Sequence, residues 1–483
     1  MSDELERRDG LDRRDELTER FARLGDRPAV IDKGRTHSYG DLARAIRTTA
    51  DRLRERGVAP HEAVVLNSDF SFGSIATLLA LYLNRNVVVP LVAFTEGALR
   101  TINDSCAPRH LVKVADDGSE LLVEPMTAAG PGAEPGAEPG AESAAATPEA
   151  YRPLVEAGAA GLVLLSSGST GAPKAILHNL DTLVAEKAGS GDRVGSRTTN
   201  ILMFLLFDHI GGINSLLGVF KVSGTAVLPA RRTPEEICAL IEEHGIRLLP
   251  TSPTFLNLIL IGDYHRKHDL SSLRMISYGT EPMPEELLRR LHTALPRARL
   301  LQTFGTSETG ISATTSESSE STYFRISDEN VQYRIVDGEL QLKSRTQFMG
   351  YLNYPDDSLT EDGWFRTGDL VEEKEDGFLK VKGRAKEVIN VGGEKVLPLE
   401  LESILLGSPL IDDCVVYGRP NSITGQSVCV DIKPSGAMTR AEARRHVHEF
   451  LEGKVEPFKL PAKVNLVEEL RVSDRFKKQR IRA

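Results

Sequence analysis

The residues best suited to bind phosphate lie directly after a short apolar run. The run Gly161 to Leu165 is typical of a buried strand. The loop that follows contains Ser166, Ser167, Gly168, Ser169, Thr170 and Gly171, and it leads to Lys174. Glycines let the backbone approach a ligand closely, while hydroxyls, backbone N–H groups and a lysine can together bind oxyanions. The spacing differs from Gly-x-x-x-x-Gly-Lys-Ser/Thr. We therefore predict a polyphosphate loop of another kind and disfavour a flexible linker, which would not directly follow a core strand.

This loop resembles the phosphate loop of the adenylate-forming superfamily, which includes acyl-CoA synthetases, nonribosomal adenylation domains and luciferases. Four further blocks occur in the family's order, so the resemblance covers nearly the whole chain. It implies an α/β fold, with a large N-terminal domain of α/β subdomains and a small β-barrel-like part, followed by a small, mobile α+β C-terminal domain. It places the large domain at residues 1–385 and the small domain at 386–483.

The second block resembles the family's Tyr-Gly-x-Thr-Glu loop. It contains Phe304, Gly305, Thr306, Ser307 and Glu308. The resemblance implies that Phe304 lies against adenine, that Ser307 contacts the α-phosphate and that Glu308 holds magnesium. Phe304 and Ser307 replace Tyr and Thr, which keeps the stacking face and the hydroxyl. A carboxylate oxygen suits Mg²⁺, which prefers oxygen ligands and retains waters. A surface turn with a solvated glutamate is the alternative interpretation.

The third block, Gly-Trp-Phe-Arg-Thr-Gly-Asp at 363–369, resembles the family's Gly-Trp-x-x-Thr-Gly-Asp. The match implies that Asp369 accepts hydrogen bonds from both ribose hydroxyls, with Arg384 as a second ribose or phosphate contact. The segment 277–282 resembles the adenine-side turn. There the resemblance places Gly279 against the acyl pocket, and Thr280 and Glu281 near the base.

The fourth block, residues 383–400, resembles the hinge and thioester loop. Lys386 occupies the hinge position, where a few residues absorb a large backbone change. Gly392 and Gly393 fall where a side chain would obstruct the pantetheine tunnel. The same stretch also fits a β-turn before a helix.

The last block resembles the family's Gly-Lys-x-x-Arg. Counting back from Arg480 gives Lys477 as the lysine of the adenylation step, with Phe476 in place of the usual glycine. Lys478 is the runner-up. A plain basic tail is the alternative, because six of the thirteen residues from Arg471 onward are Lys or Arg.

The acid-binding side is predicted from the block at 207–215. In one register His209 lines the carboxylate end of the pocket, as in aromatic or aliphatic acyl-CoA ligases. In the other, Asp208 takes the place of the aspartate that binds the substrate amine in amino-acid adenylation domains. We favour the first, because Ile213-Asn214-Ser215 then aligns without a gap.

Composition allows this interpretation and narrows the classes of protein. A chain of 483 residues is long enough for two or more domains, and a formal net charge of −10 argues against general nucleic-acid binding. No apolar run reaches the length of a membrane span, and residues 1–27 contain no signal-peptide core. The four cysteines lack paired spacing, which indicates reduced thiols in a cytoplasmic protein.

The order of elements indicates alternating strands and helices in both halves of the chain. Strands are predicted at Ala63–Leu66 and Asn86–Leu91 around a helix at Phe72–Leu83, and a helix is predicted at Arg440–Leu451. Asp337-Gly338 and Asp376-Gly377 predict hairpins. The repetitive segment 130–146, rich in Gly, Ala, Glu and Pro, is interpreted as a solvent loop without chemistry. These predictions place the phosphate loop inside an α/β domain.

The resemblance implies an enzyme that uses ATP and Mg²⁺ to convert a small-molecule carboxylic acid into an acyl adenylate, with Lys174, His209, Glu308 and Lys477 as catalytic residues. The acyl group would then pass to a thiol, that of CoA or of phosphopantetheine. Three alternatives stay open: an adenylation enzyme that loads a separate acyl carrier protein, a diazotase that activates nitrite towards an arylamine, and a non-catalytic nucleotide-binding scaffold.

Overall fold

The structure is a computed structural model that describes residues 14–115, 121–126, 148–166, 173–188, 198–355, 357–473 and 475–480. The segment 130–146 lies outside the described residues. The predicted phosphate contacts of Ser167, Gly168, Ser169, Thr170 and Gly171 also lie outside them. The chain divides into two compact units. The first comprises residues 1–230, 306–311 and 344–357, and the second comprises 231–305, 312–343 and 358–483.

The first unit contains a seven-stranded sheet that carries the strand before the phosphate loop. In spatial order its strands are β20 (Gly350–Tyr351), β8 (Lys174–Asn179), β7 (Gly161–Ser166), β4 (Val87–Leu91), β3 (Ala63–Asn67), β5 (His110–Val114) and β6 (Leu121–Pro125). The four central strands β7, β4, β3 and β5 are parallel, and β20, β8 and β6 run antiparallel to their neighbours. Strands β7, β4 and β3 are largely apolar because both of their faces are buried.

A second group of strands in the first unit consists of β9 (Asn200–Leu202), β10 (Thr225–Leu228), β1 (Pro28–Asp32) and β2 (Arg35–Ser38). The helices of this unit are α1 (14–24), α2 (Tyr39–Glu55), α3 (Phe72–Leu83), α4 (Glu96–Cys106), α5 (Arg152–Ala157), α6 (Leu180–Ala188) and α7 (Ile210–Lys221). Reciprocal capping boxes at Ser38 and Ser71 fix where α2 and α3 begin. Two short strands, β14 (Phe304–Thr306) and β15 (Gly310–Ser312), precede and follow the predicted magnesium residue in sequence.

The second unit opens with parallel strands β11 (Leu248–Thr251), β12 (Met275–Tyr278) and β13 (Arg299–Gln302). Its helices there are α8 (Pro234–His244), α9 (Pro253–Ile261), α10 (Tyr264–Lys267) and α11 (Glu285–Ala294). A six-stranded antiparallel sheet follows in the order β16 (Thr314–Ser316), β17 (Phe324–Ile326), β22 (Leu379–Arg384), β21 (Phe365–Glu373), β19 (Glu339–Ser344) and β18 (Val331–Val336). This curved sheet is the counterpart of the predicted barrel-like part.

The C-terminal part of the second unit has a hydrophobic core of its own. Its elements are β23 (Ile389–Val391), β24 (Glu394–Val396), α12 (Pro398–Leu405), β25 (Ile411–Asn421), β26 (Gly425–Pro434), α13 (Arg440–Leu451) and β27 (Lys463–Leu466). The strands pair in the order β24-β23-β26-β25, with β27 beside β26.

Many predicted elements agree with the structure. The predicted helices at Phe72–Leu83 and Arg440–Leu451 have the observed bounds. The two hairpins form as well, and at the first of them Asp337 and Gly338 both have positive φ, 52° and 80°. All four cysteines are buried and free. No helix among the described residues is both long enough and apolar enough to cross a membrane.

A buried ion pair ties the end of the chain to the C-terminal core. Glu402 on α12 is fully buried, and Arg480 donates two hydrogen bonds to it, at 2.7 and 3.2 Å. One of the Glu402 oxygens also accepts from the Val416 backbone N–H at 2.9 Å. A buried carboxylate needs such partners, because transfer out of water penalises its charge.

We predict that Arg480→Ala destabilises the protein by about 3–5 kcal/mol, since it leaves the Glu402 charge buried without its partner. Arg44→Ala is the control, because Arg44 pairs with Asp41 on the surface. The control should change the unfolding free energy by less than about 1 kcal/mol. Urea unfolding monitored by circular dichroism measures both effects, and equal effects for the two variants would contradict the prediction.

Candidate functional site

Lys174 lies at the first residue of β8, where the phosphate loop returns to the sheet. It pairs with Ser166, the last residue of β7, across the antiparallel ladder. Its Nζ atom lies 4.3 Å from the ring centroid of Tyr351 and 5.5 Å from that of Tyr354. An ammonium group over aromatic faces is held by cation–π attraction without losing its charge. The two aromatic rings therefore orient the lysine that directly follows the loop predicted to bind phosphate.

Glu308 is joined to the same group of residues through Tyr351. The Tyr351 hydroxyl donates a hydrogen bond of 2.8 Å to Glu308 Oε1. The backbone N–H of Glu308 donates to Thr306 Oγ1 at 3.2 Å, and its C=O accepts from the Phe348 N–H at 2.6 Å. The sequence predictions included Glu308 but missed Tyr351. The aromatic pair Tyr351 and Tyr354, near an asparagine, was the signal that could have revealed it.

His178 is a second residue that the sequence predictions missed. Its Nε2 atom donates to the C=O of Ser307 at 2.8 Å, so it supports the loop that presents Glu308. Burial lowers the pKa of His178 to about 4, so the ring is neutral at physiological pH. Because side chains alternate along a strand, His178 is on the same face of β8 as Lys174. A histidine at the end of the apolar run 175–177 was the available signal.

The carboxylate of Glu308 fits a magnesium ion of the kind that the resemblance implies. Among the described residues, no group of three or more His, Cys, Asp or Glu could hold a metal ion. A site with one protein carboxylate is typical of Mg²⁺ that keeps its waters and binds substrate phosphates. Tyr351 fixes the orientation of that carboxylate through Oε1. Glu308 is therefore the residue that would hold the ion.

Asp208 and His209 lie at the start of α7 and both bind backbone groups. Asp208 Oδ2 accepts a hydrogen bond of 3.2 Å from the Val92 N–H. His209 is the N-cap of α7, where its Nδ1 accepts from the Gly211 N–H at 3.1 Å. A ring nitrogen that accepts carries no proton, so Nε2 of the neutral ring is the donor. The cap fixes the orientation of the imidazole ring at the start of α7.

Two glycines let α7 begin close to the preceding turn. A Cβ atom at Gly212 would lie 2.0 Å from the C=O oxygen of Leu206, and one at Gly211 would lie 2.7 Å from Leu205 Cδ1. A larger residue at Gly212 would require a backbone shift, and one at Gly211 would require the Leu205 side chain to move. The Gly-Gly pair therefore sets the position of His209.

In the second unit, Asp369 and Arg384 face each other on neighbouring strands. They are register partners of β21 and β22, and Arg384 Nε donates to Asp369 Oδ1 at 3.1 Å. Burial raises the pKa of Asp369, and the nearby Arg384 guanidinium partly offsets that rise. The antiparallel pairing explains why residues from two separate sequence blocks meet.

Lys477 and Lys478 have different surroundings. Lys478 Nζ binds the Asp413 carboxylate and the C=O of Cys414, and the side chains of Lys478 and Asp413 are both 7% exposed. No hydrogen bond or ion pair joins Lys477 Nζ to a residue that the structure describes. Burial, with Arg475 and Arg384 nearby, lowers the pKa of Lys477 to about 8. The ammonium group of Lys478 is thus occupied by partners in the C-terminal core. The ammonium group of Lys477 has no such partner among the described residues and could bind a ligand.

The adenine-side turn contains a strained threonine. Thr280 has φ of 72°, which is rare for a β-branched residue and often marks a functional site. Its hydroxyl is buried and has no hydrogen-bond partner among the described residues. Gly279 is required here, since a Cβ would lie 2.5 Å from Thr303 Oγ1. Glu281 accepts hydrogen bonds from the backbone N–H groups of Thr254 at 2.8 Å and Lys478 at 3.2 Å.

Phe304 packs into the core of the six-stranded sheet. Its ring stacks on Phe324 with centroids 5.5 Å apart, and only 8% of the residue is exposed. The predicted contact with adenine therefore involves a residue that is already anchored on one side. The roles of Gly305, Thr306 and Ser307 towards the nucleotide stay predictions.

The hinge and glycine residues lie in exposed turns. Lys386 is exposed in a single 3₁₀ turn, Ala385–Glu387. Gly392 and Gly393, with φ of 63° and 96°, connect β23 and β24. The Gly393 N–H donates to Asn390 Oδ1 at 2.9 Å, and no atom lies within 4 Å of a Cβ built at Gly393. The domain boundary at 386 and the tunnel role stay predictions.

Two family models match this chain. The model described as AMP-binding enzyme matches residues 17–352, and the model of the AMP-binding enzyme C-terminal domain matches residues 400–477.

Relatives match along most of their lengths. An indoleacetate–CoA ligase of Aromatoleum aromaticum is 29% identical over 493 aligned residues, which cover 92% of this chain and 94% of the ligase. Pyochelin synthase PchD of Pseudomonas aeruginosa is 27% identical, and the alignment covers 92% of this chain and 87% of the synthase. ATP-bound MatB from Rhodopseudomonas palustris has a TM-score of 0.76 at 21% identity, with 96% of this chain and 97% of MatB covered. The α/β fold, with a large N-terminal and a small C-terminal domain, is confirmed.

We predict that Gly212→Ala displaces the start of α7, because the new Cβ would lie 2.0 Å from the Leu206 oxygen. Loss of about 2 kcal/mol or more of stability is expected from such overpacking. Gly218→Ala is the matched control on the same helix, since no atom lies within 4 Å of its Cβ position. It should stabilise the helix by about 0.5–1 kcal/mol. Urea unfolding curves of both variants provide the measurement, and opposite signs are expected.

Proposed function

Since the chain belongs to the family of AMP-binding enzymes, we propose that it activates a small-molecule carboxylic acid with ATP and transfers the acyl group to a thiol. Membership confirms the adenylate-forming superfamily and the class of AMP-forming ligase that the sequence predicts. The acid, the acceptor and the roles of individual residues are our proposal. The observation that carries it is the ammonium group of Lys477, which lies in the field of Asp369 and Arg384 without an ion pair to a described residue.

The proposed reaction explains why the enzyme needs ATP. A carboxylate is a poor acyl donor, because its leaving group would be oxide. Attack of a carboxylate oxygen on the α-phosphorus forms an O–P bond, breaks the bond to pyrophosphate and gives an acyl adenylate. A thiolate then forms the thioester, and AMP leaves. The protein contributes position and charge, with little covalent participation.

We assign each of the site residues one role in this reaction. Lys174 binds phosphate oxygens of ATP, and Asp369 with Arg384 binds the ribose. His209 donates from Nε2 to the acid carboxylate, and Lys477 donates to the carboxylate and α-phosphate oxygens. Magnesium held by Glu308 would neutralise phosphate charge. We propose the register in which His209, not Asp208, faces the acid, because the Gly211 N–H donates to Nδ1 and so makes Nε2 the donor of the ring.

The acceptor is CoA or the phosphopantetheine of a carrier protein. The CoA ligase relative supports the first, and the relative named pyochelin synthase supports the second. Pyrophosphate exchange over a panel of acids tests the adenylation step. AMP release with CoA, with a phosphopantetheinylated carrier or with nitrite and an arylamine then separates a CoA ligase, a carrier-loading enzyme and a diazotase. Absence of exchange with every acid and of AMP release with nitrite would contradict an adenylating enzyme.

We predict that Lys477→Ala lowers acid-dependent pyrophosphate exchange by about 10²-fold or more, because it removes a charge that acts on the developing phosphate charge. Conversion of a supplied acyl adenylate to thioester should continue. Exchange by the wild type should fall as pH rises through about 8, where Lys477 loses its proton. Stopped exchange assays with labelled pyrophosphate measure these effects.

Lys478→Ala is the comparison for that prediction. It removes the partner of the buried Asp413, so it should lower thermal stability, which Lys477→Ala should not. If a stably folded Lys478→Ala variant loses exchange and Lys477→Ala keeps it, Lys478 is the adenylation lysine.

We predict that Lys386→Pro reduces thioester formation more strongly than pyrophosphate exchange. Proline fixes φ and restricts the preceding residue, so it should hinder rotation of the C-terminal domain about this turn. Gly393→Trp should reduce thioester formation in the same way, and it should leave nitrite-driven AMP release intact if the enzyme is a diazotase. Both half-reactions are measured on one preparation of each variant. Equal losses in the two half-reactions would contradict a hinge.

A further inference from the structure

Phe476, the neighbour of Lys477, adopts a backbone conformation that normally favours glycine. Its φ is 52°, in the left-handed region where a side chain crowds the backbone. Two hydrogen bonds close the turn: Phe476 N–H donates to the Ser473 C=O at 2.8 Å, and Ser473 N–H donates to the Lys477 C=O at 2.9 Å. A strained residue persists only where its surroundings hold it in place. The contacts of the Phe476 side chain therefore matter.

The ring of Phe476 packs against Phe255. The two centroids are 5.1 Å apart and the planes are inclined at 77°, an edge-to-face arrangement that aromatic pairs favour. Phe255 is fully buried in the first turn of α9, where its N–H donates to the N-cap Ser252 at 3.2 Å. The partner of Phe476 is thus a rigid anchor, and it belongs to the predicted large domain.

The turn at Phe476 also separates the two lysines that follow. Lys478 is fixed by Asp413 on one side, and the backbone N–H of Lys478 donates to Glu281 at 3.2 Å. Lys477 Nζ, in contrast, makes no hydrogen bond or ion pair with a described residue, and the charges of Arg384 and Asp369 act on it.

We propose that Phe476 is a positioning residue for the adenylation step: its ring, packed on Phe255, holds the turn that directs the Lys477 ammonium group. This inference rests on the proposed function, and it assigns a role to a residue that departs from the family pattern. The contact joins the C-terminal segment to α9, so it must break whenever the C-terminal domain rotates. Phe476 therefore favours the orientation in which Lys477 acts.

The kinetic test compares Phe476→Gly, Phe476→Leu and Phe255→Leu with the full-length wild type. Glycine relieves the backbone strain and removes the ring, whereas leucine keeps an apolar side chain without the aromatic edge. We expect Phe476→Gly to lower the kcat of pyrophosphate exchange about tenfold, with the KM for ATP within about twofold, since the lost contact orients a group and does not bind nucleotide. Thioester formation from a supplied acyl adenylate should not fall.

A double-mutant cycle tests the ring contact itself. The effects of Phe476→Leu and Phe255→Leu on exchange should be less than additive, because each removes the same contact. Gln479→Ala, on the exposed side of the same segment, is the control and should leave exchange unchanged. Unchanged exchange in Phe476→Gly, additive leucine effects, or equal losses in both half-reactions would overturn the proposal.

A labelling experiment tests the position of Lys477 without any activity. The rate at which an amine-reactive acetate ester modifies Lys477 is followed against pH by peptide mass spectrometry. Arg475, Arg384, Glu281 and Asp369 are the charged groups that act on this amine in the wild type, which should titrate near pH 8. In Phe476→Gly the midpoint should rise towards that of an ordinary lysine, because the freed turn lets water reach the amine.

The two tests separate the two proposals. If none of the acids in the panel supports pyrophosphate exchange by the wild type, the proposed function fails. A labelling midpoint that shifts in Phe476→Gly would still support the positioning role. If exchange is present but Phe476→Gly leaves both the midpoint and the exchange rate unchanged, the positioning role is overturned and the proposed function stands.

Discussion

The C-terminal segment of this enzyme depends on charges buried among the elements of its own core. Arg480 binds Glu402, and Lys478 binds Asp413, so two basic residues of an otherwise solvent-prone tail are drawn inward. Removing one partner of either ion pair would leave the charge of the other partner buried in an apolar surrounding. Once these two residues are fixed, the chain between them and Phe476 has little freedom, and Lys477 differs from both because no ion pair joins its Nζ atom to a described residue. Lys478 and Arg480 thus stabilise the fold, whereas their neighbour Lys477 is the lysine that we propose contacts the substrates.

A related arrangement occurs in the first unit, around the lysine and the glutamate that we propose bind phosphate and magnesium. Lys174 and Glu308 are held by an aromatic hydroxyl residue, Tyr351, and not by each other. A direct ion pair would neutralise both groups and would have to open for a ligand. An aromatic face and a single phenol hydrogen bond orient the lysine and the carboxylate without pairing them with each other. This arrangement suits a protein that must bind polyphosphate repeatedly and release it.

Sequence patterns predicted the elements with strong periodicity, such as the helix Arg440–Leu451, and the family blocks that carry Lys174, Asp369 and Glu308. They predicted the family and the fold for the same reason, because motifs of fixed spacing are local. They could not find His178 or Tyr351, whose roles depend on pairing between strands that are distant in sequence. They also left Lys477 and Lys478 unresolved, because only the positions of Asp413 and Cys414 show which ammonium group is occupied. Strain at Thr280 and Phe476 is likewise a property of the folded backbone.

The edge strand β20 follows β8 in the sequence by more than a third of the chain. The contacts of Tyr351 with Lys174 and Glu308 therefore form late in synthesis and folding. Tyr351 reaches Lys174 and Glu308 only after β20 has paired with β8, and β8 was synthesised long before it. Contacts between residues so far apart in sequence carry a large loop-closure cost, and they form after local structure. A ribosome-bound chain that ends before residue 350 can already contain the parallel core of the first sheet. It still lacks the aromatic contacts of Lys174 and the strands that carry Asp369 and Arg384, so we expect nucleotide affinity to appear only after these later segments have been synthesised.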